Sequence, residues 1–276
     1  MTSLNLLAAD KSIYKFMRGP KDWSCVGVDI NALEPHTIAH FSQCPVYMSL
    51  YGPDAAPNQD AYIHLGCTIP KYAELFLPHY KVGEPTKEGV DYIKDNYDQE
   101  RFVCKVTFLS SVYGIFPPAL RALLLAGGVD MSIREVEGIH QSYWRTFAAV
   151  KTLTHQLQEE WRRNGGFVVS GRGTPKPMDN QAASKDILSR FIQTTGHQYV
   201  MRWLFHINEI KQERKVTMRP IIKDLHDATY WTAPDDQIEE AGKVIQDGLT
   251  RLNEELNLSV VFKGKTKIGK TLEIAK

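Results

Sequence analysis

The 276-residue chain lacks the features that mark several broad classes of protein. Its four cysteines are scattered, with neither a Cys-x-x-Cys pair nor a histidine pair at zinc-ligand spacing nearby (Cys25, Cys44, Cys67, Cys104). This spacing argues against a disulfide framework or a zinc site and is typical of reduced thiols in a cytosolic protein. No apolar run approaches the roughly 20 residues that span a bilayer, and a charge at Lys11 comes too soon for a signal peptide. We therefore expect a cytoplasmic protein with no membrane partner.

An excess of charge of one sign is also missing. The chain has 33 Lys and Arg against 32 Asp and Glu, a formal net charge of +1. A hydrophobic content of 43% and a charged content of 24% are ordinary for a globular protein with a sizeable core. The net charge therefore does not indicate nucleic-acid binding, and a site for a polyanion would have to come from local clustering of basic side chains.

One such cluster is present. Arg101, Lys105, Leu109 and Tyr113 recur every four residues, and Gly114 closes the run. A four-residue step drifts only about 40° around a helix, so these side chains form one slowly winding stripe. Two cations one turn apart suit a triphosphate, with an aromatic ring at the far end for a base. For this segment taken alone, a solvated basic face is the commoner explanation.

Strand signals gather at both ends of the chain, whereas helical patterns fill the centre. Residues 25–29 read as a buried strand, 220–225 and 229–232 as a hairpin, and 258–262 as a closing strand. Helical spacing runs from residue 185 to about 209, and a polar segment at 78–98 reads as a loop. The pattern predicts an α+β protein whose sheet is built from both termini, with a mainly helical part inserted between.

Two acids lie at the ends of predicted strands, Asp29 after the first strand and Asp227 in the hairpin turn. Carboxylate oxygens hold Mg²⁺ together with substrate phosphates, and two such ions stabilise an in-line displacement. Each acid taken alone is more often a turn former or a helix cap. Their value as candidates therefore depends on the order of the neighbouring motifs.

That order resembles the family A (DNA polymerase I-like) DNA polymerases of bacteriophage type. Asp29 is followed five positions later by Glu34, then comes the Arg101/Lys105/Tyr113-Gly114 helix, then a His226-Asp227 turn between two strands. Further segments that resemble the family are Asp60-Ala-Tyr-Ile-His64, Gly166-Phe-Val-Val-Ser-Gly-Arg172 and Phe191-Ile-Gln193. The resemblance runs from about Trp23 to the end of the chain.

The resemblance implies a palm with an antiparallel sheet and a helical fingers domain. Residues 1–65 would be the first part of the palm, 66–165 the fingers with the motif helix 101–114, and 166–276 the second part of the palm with the hairpin 221–232. It also implies a nucleotidyltransferase that extends a primer on a DNA template with dNTPs.

The same resemblance implies a role for each matching residue. Asp29 and Asp227, with the backbone carbonyl of Ile30, would hold two Mg²⁺ ions. Arg101, Lys105 and His64 would bind the triphosphate, and Lys105 could protonate the pyrophosphate that leaves. Glu34 would exclude a ribose hydroxyl, and Leu109 would lie at the sugar pocket. Contacts with DNA would come from the residues Tyr113, Gly114, Gln193, His226, Arg172 and Lys185.

The chain departs from the family pattern at several positions and in its length. Leu109 stands where the family usually has an aromatic residue, and Ala228 where many members have Glu. Lys185 stands where an Arg is frequent. Only about two dozen residues precede Asp29, too few for a thumb or an exonuclease, so we expect a split enzyme in which a separate polypeptide supplies them.

Two other functions stay open at this point. A single-subunit RNA polymerase shares the stripe and the His-Asp turn, although a small residue usually stands where Glu34 does, so Glu34 favours DNA synthesis. A non-catalytic, polymerase-like DNA-binding subunit would fit Ala228, although it would need none of the candidate site residues.

Overall fold

The structure is a computed structural model that describes residues 11–180 and 186–275. The chain divides into two compact units: one joins Met1–Glu34 to Thr195–Lys276, and the other is Pro35–Thr194. The first unit carries a four-stranded antiparallel sheet assembled from both ends of the chain. This confirms the predicted α+β class. No helix in the described part of the chain has the length and apolarity to cross a membrane.

The strands of the described residues are β1 (Trp23–Ile30), β2 (Phe167–Val169), β3 (Pro175–Pro177), β4 (Arg219–Leu225), β5 (Ala228–Pro234) and β6 (Gly264–Gly269). The main sheet has the order β4-β5-β1-β6, and β2 pairs with β3 in a separate hairpin. The main sheet belongs to the first unit and the small hairpin to the second.

The helices of the described residues are α1 (Leu33–Ser42), α2 (Pro45–Tyr51), α3 (Ala61–Gly66), α4 (Pro70–Phe76), α5 (Lys87–Asn96), α6 (Asp98–Val112), α7 (Pro117–Ala126), α8 (Ile133–Thr146), α9 (Ala148–Arg163), α10 (Ile187–Glu213), α11 (Ile238–Leu256) and α12 (Leu272–Ala275). A short 3₁₀ helix, Lys11–Phe16, precedes β1.

Alternation along β1 decides which side chains enter the main core. Val26, Val28 and Ile30 are buried in one cluster with residues of α10 and α11. Because successive side chains of a strand point to opposite faces, Asp29 lies on the other face, together with Cys25. That face carries a smaller apolar cluster formed by Tyr14, Cys25, Ile222, Ala228, Tyr230 and Leu272.

Helices α10 and α11 cover the first face because each has an apolar stripe at helical spacing. Trp203 of α10 is fully buried and donates its indole N–H to the Ile245 carbonyl of α11 at 3.0 Å. Gly248 lets the helices approach, since an added Cβ would lie 2.9 Å from the Ile207 side chain. The rigid support of β1 and β5 therefore comes from this pair of helices.

The second unit is organised around α6 and an aromatic core. Phe108 of α6 is buried and contacts Tyr47, Tyr143 and Phe147 with ring centroids 5.5 to 6.0 Å apart. Gly66 of α3 lies so close to the Phe76 ring that an added Cβ would be 2.2 Å from it. Helix α6 therefore has one face fixed in the core and the opposite face left for solvent.

Two elements differ from the sequence-based expectation. The closing strand is β6, whereas the predicted segment 258–262 is a non-strand stretch that buries Val260 and Phe262. The Asn253 side chain holds this stretch by accepting from the Phe262 N–H and donating to its carbonyl. Within the predicted loop 78–98, α5 forms because Thr86 caps it and Val90 and Ile93 bury one face.

Candidate active site

The ends of β1 and β5 bring Asp29 and Asp227 together. Asp29 pairs across the sheet with Ala228, the residue that follows Asp227. The Ile30 N–H donates to the Asp227 carbonyl at 2.8 Å. Burial raises the pKa of Tyr230, and the charges of Asp29 and Asp227 both raise it further. The two carboxylates therefore act on one neighbouring phenol, as expected for acids at adjacent strand ends.

The turn between β4 and β5 places its residues at the solvent side of this edge. His226 has a φ of 60° and an exposed side chain, whereas Asp227 is half-buried. The positive φ of His226 fits a two-residue hairpin turn, which needs left-handed backbone. Asp29 is exposed. The pair is therefore open to a ligand from solution.

Two neighbouring carboxylates fit a magnesium site that is completed by a substrate. Mg²⁺ usually keeps one or two protein carboxylates and takes its other ligands from water and phosphates. No group of three or more His, Cys, Asp or Glu side chains able to hold a metal occurs among the described residues. The donors available at this edge are thus the two acids and nearby backbone carbonyls, including that of Ile30, whose side chain is in the core.

The departure at Ala228 has a structural explanation. Its side chain is 3% exposed and packs in the small apolar cluster beside Tyr230 and Cys25. A glutamate side chain at this position would bury a charge among apolar groups at substantial cost. The alanine is therefore matched to its surroundings.

Glu34 follows the carboxylate edge at the start of α1. Ala32 lies in the turn between β1 and this helix and has a φ of 50°. Glu34 lies in the first turn, where its charge suits the positive end of the helix, and its side chain is half-buried. Its predicted role in sugar selection stays a prediction.

In the second unit, Arg101 of α6 is held by Asp60. The guanidinium donates to Asp60 Oδ2 from Nη2 at 2.7 Å and from Nε at 3.2 Å. Both side chains are largely buried, 18% and 10% exposed. The Arg101 guanidinium also lies 5.1 Å from the centroid of the Tyr62 ring. The direction of the Arg101 side chain is therefore fixed by two residues of the α3 segment.

Asp60 also caps the N-terminus of α3. Its Oδ1 accepts from the N–H groups of Tyr62 at 3.0 Å and Ile63 at 3.1 Å, which caps α3. Burial raises the pKa of Tyr62, the Asp60 charge raises it further, and Arg101 lowers it. One carboxylate thus couples the start of α3 to the position of Arg101.

His64, a predicted phosphate contact, lies on the inner face of α3. Its side chain is buried, its Nδ1 has no hydrogen-bond partner among the residues that the structure describes, and burial lowers its pKa. Tyr62 is the aromatic residue of this segment that lies beside Arg101. The phosphate contact of His64 stays a prediction.

The rest of the stripe lies along the solvent face of α6, as the four-residue spacing predicts. Lys105 is exposed, and Leu109 and Tyr113 are each 40% exposed. Tyr113 is the C-cap of the helix, and Gly114 follows with a φ of 70°. Because positive φ strains most residues, glycine suits this turn.

The remaining predicted DNA contacts are dispersed in the second unit. Gln193 is exposed on α10, and Arg172 is exposed in the turn between β2 and β3. Lys185 lies outside the described residues. Asp60 and Tyr62 were missed as candidates; an Asp before an apolar run is a recognisable N-cap signal, but its pairing with Arg101, 41 residues away, is not visible in sequence.

Comparison with known proteins gives a match to structure alone. No family model matches the chain, and no curated protein matches its sequence. Among solved structures, the chain is similar to the POL domain of Pol1 from M. smegmatis in complex with DNA primer-template and dNTP. The TM-score is 0.74 at 14% identity, over 95% of this chain and 42% of that chain. The chain thus has the fold of that domain and spans less than half of that chain's length.

Proposed function

We propose that the chain is a DNA-directed DNA polymerase, a nucleotidyltransferase that adds dNMP units to a primer on a DNA template. The observation that carries the proposal is the meeting of Asp29 and Asp227 at adjacent strand ends. The fold of a domain solved with primer-template and dNTP supports it. Template-dependent extension of a labelled primer by the purified chain with Mg²⁺ tests it, and incorporation that ignores the template would contradict it.

Asp29 and Asp227, with the Ile30 carbonyl, would hold two Mg²⁺ ions. When bound, such ions neutralise charge on the attacking and leaving oxygens of a phosphoryl transfer. The residues themselves supply one exposed and one half-buried carboxylate, whose positions are joined by the backbone bond from Ile30 to Asp227. That bond would hold the two backbone positions that carry the carboxylates at a constant spacing.

On the second unit, Arg101 and Lys105 would bind the β- and γ-phosphates of the incoming dNTP. Arg101 is a planar donor whose direction Asp60 and Tyr62 fix, so less freedom is lost when it binds. Lys105 is exposed one turn away and would donate a proton to the leaving pyrophosphate. His64 belongs to the same proposed phosphate site.

Contacts to the sugar and to DNA complete the proposal. Glu34 would press on C2′ of the sugar, and Leu109 would shape the sugar pocket. Tyr113 with Gly114 would abut the base pair being formed. The other proposed contacts to primer and template are His226, Gln193, Arg172 and Lys185.

A separate polypeptide that supplies a thumb or proofreading activity is part of the proposal. The net charge of +1 supports it, because duplex affinity depends on many cation–phosphate contacts. Primer extension with and without the candidate partner tests this point. Full processivity of the chain by itself would contradict it.

RNA synthesis is the second candidate function. Glu34 favours deoxyribonucleotides, since a carboxylate side chain at the sugar leaves no room for a 2′-hydroxyl. Extension with ribonucleotides and with deoxyribonucleotides in parallel reactions separates the two candidates. Faster incorporation of ribonucleotides would favour RNA synthesis.

A further inference from the structure

Strand β6 carries lysines at alternate positions, and two of them have neighbours on β1. Lys265 pairs across the sheet with Asp29, and Lys267 pairs with Gly27. Lys263 precedes the strand, and its carbonyl accepts from the Asn31 N–H at 2.8 Å. We call Lys263, Lys265 and Lys267 the lysine row.

Lys265 and Lys267 of the lysine row face the same side of the sheet as Asp29. The intervening residues of β6 face α11: Gln246 donates to Thr266 Oγ1 at 2.8 Å, and Ile268 packs against the main core. Because side chains alternate along a strand, Lys265 and Lys267 point away from α11. Paired residues of antiparallel strands share a face, so Lys265 lies beside Asp29.

Several cations of this unit form ion pairs with acidic side chains that the structure describes, whereas the lysines of the row do not. Ion pairs join Arg202 to Glu255, Arg214 to Asp247, Arg251 to Glu213 and Lys270 to Asp235. All three lysines of the row are exposed, and none forms an ion pair with another residue that the structure describes. Even with the carboxylate of Asp29 beside Lys265, the row is a local excess of positive charge in a chain that is nearly neutral.

The shape of this charge selects the kind of ligand. Alternate residues of a strand are about 6.7 Å apart, so three lysines extend over roughly 13 Å. Like charges at this spacing repel each other, and binding to a linear polyanion relieves that repulsion while releasing counterions. β6 is an edge strand of the sheet, which leaves the row accessible along its length.

We propose that Lys263, Lys265 and Lys267 bind the sugar–phosphate backbone of the nucleic-acid strand that reaches Asp29 and Asp227. This rests on the proposed function, because it takes the carboxylate edge as the place of reaction. The row would hold the strand by charge, without reading its sequence.

The test is fluorescence anisotropy of a labelled primer-template duplex with the full chain, at several salt concentrations. The variant Lys265→Gln with Lys267→Gln loses two positive charges of the row. Each lost phosphate contact lowers the slope of log K against log salt by about 0.9, so we expect a decrease of about 1.8. With an unchanged affinity at 1 M salt, this corresponds at 0.1 M salt to binding weaker by roughly 60-fold.

Two further variants separate the row from general effects of charge. Lys265→Arg with Lys267→Arg keeps the charge and should bind almost as the natural chain does. Lys215→Gln with Lys243→Gln removes the same charge from exposed positions elsewhere in the unit, and its salt slope should stay nearly unchanged. The thermal unfolding midpoint of each variant shows whether it folds.

The outcomes distinguish the two proposals. If the natural chain binds and extends the primer but the double glutamine variant keeps its affinity and slope, the lysine row is refuted and the polymerase assignment stands. An equal loss in the Lys215/Lys243 control also refutes the row. If the natural chain neither binds nor extends the duplex, both proposals fail.

Discussion

Replacing Asp60 should destabilise the second unit through two separable effects. Asp60→Asn keeps an oxygen that caps α3, because Asn and Asp cap helices about equally well. It removes the negative charge that faces the Arg101 guanidinium. Asp60→Ala removes the cap as well. Comparison of the two variants therefore measures the ion pair and the cap one at a time.

The structure sets the size of each effect. Asp60 and Arg101 are 10% and 18% exposed, so the pair is mostly buried, and loss of one partner of such a pair costs about 3 kcal/mol or more. Loss of the cap adds about 1 kcal/mol. We expect a decrease in the free energy of unfolding of about 3 kcal/mol for Asp60→Asn and about 4 kcal/mol for Asp60→Ala.

The assay is urea denaturation followed by far-ultraviolet circular dichroism. The control is Glu84→Gln, which breaks the exposed pair with Lys81 and should leave the urea midpoint almost unchanged. A double-mutant cycle with Arg101→Gln should give a smaller loss for the pair than the sum of the single losses. If Asp60→Asn costs no more than Glu84→Gln, the ion pair does not fix Arg101 as argued.

Three further predictions follow from the contacts. Gly66→Ala should cost about 1–3 kcal/mol of unfolding free energy, since the new Cβ would lie 2.2 Å from the Phe76 ring. Gly138→Ala in α8, where a new Cβ would have no neighbouring atom within 4 Å among the described residues, should raise the unfolding free energy by about 0.5–1 kcal/mol. Urea midpoints that rank the two variants the other way would contradict this. Glu34→Ala should raise ribonucleotide incorporation relative to deoxyribonucleotide incorporation in competitive primer extension, and an unchanged ratio would remove its role in sugar selection. Burial lowers the pKa of His64 below 6.5, so its contribution to stability is present above that pH and is lost as the pH falls. His64→Gln should therefore make the urea midpoint fall less steeply below about pH 6.5. An equally steep fall in the variant would assign the loss of stability at low pH to other groups.

The sequence predicts best where local pattern and topology agree. The alternation at β1, the His226-Asp227 turn and the four-residue stripe each depend on neighbours in the chain, and each element is found. The proximity of Asp29 and Asp227 could be predicted from the sequence, because a hairpin and a single strand that share one sheet can pair in few ways. The order of the motifs then indicated a functional role for these residues, which no single residue indicates by itself.

The sequence predicts least where contacts are distant or where polar residues form a strand. Lys265 and Lys267 alternate with Thr266 and Ile268 in β6. The sequence pattern nevertheless predicts the strand at 258–262, because that segment is more apolar. Asp60 and Arg101 meet only because α3 packs against α6. Neither the burial of His64 nor the placement of Tyr62 beside Arg101 could be read from spacing.

Asp29 and Asp227 are the residues that we propose to hold the metal ions of a nucleotidyl transfer. The most direct test is single-turnover incorporation of one dNMP on a primer-template with Mg²⁺, comparing the natural chain with Asp227→Asn. Asp236→Asn is the control, since Asp236 is an exposed acid of the same unit outside the site. We predict that Asp227→Asn lowers the rate on the order of a thousandfold or more, with the unfolding midpoint unchanged and the control fully active. A rate for Asp227→Asn within about tenfold of the natural chain would contradict the account.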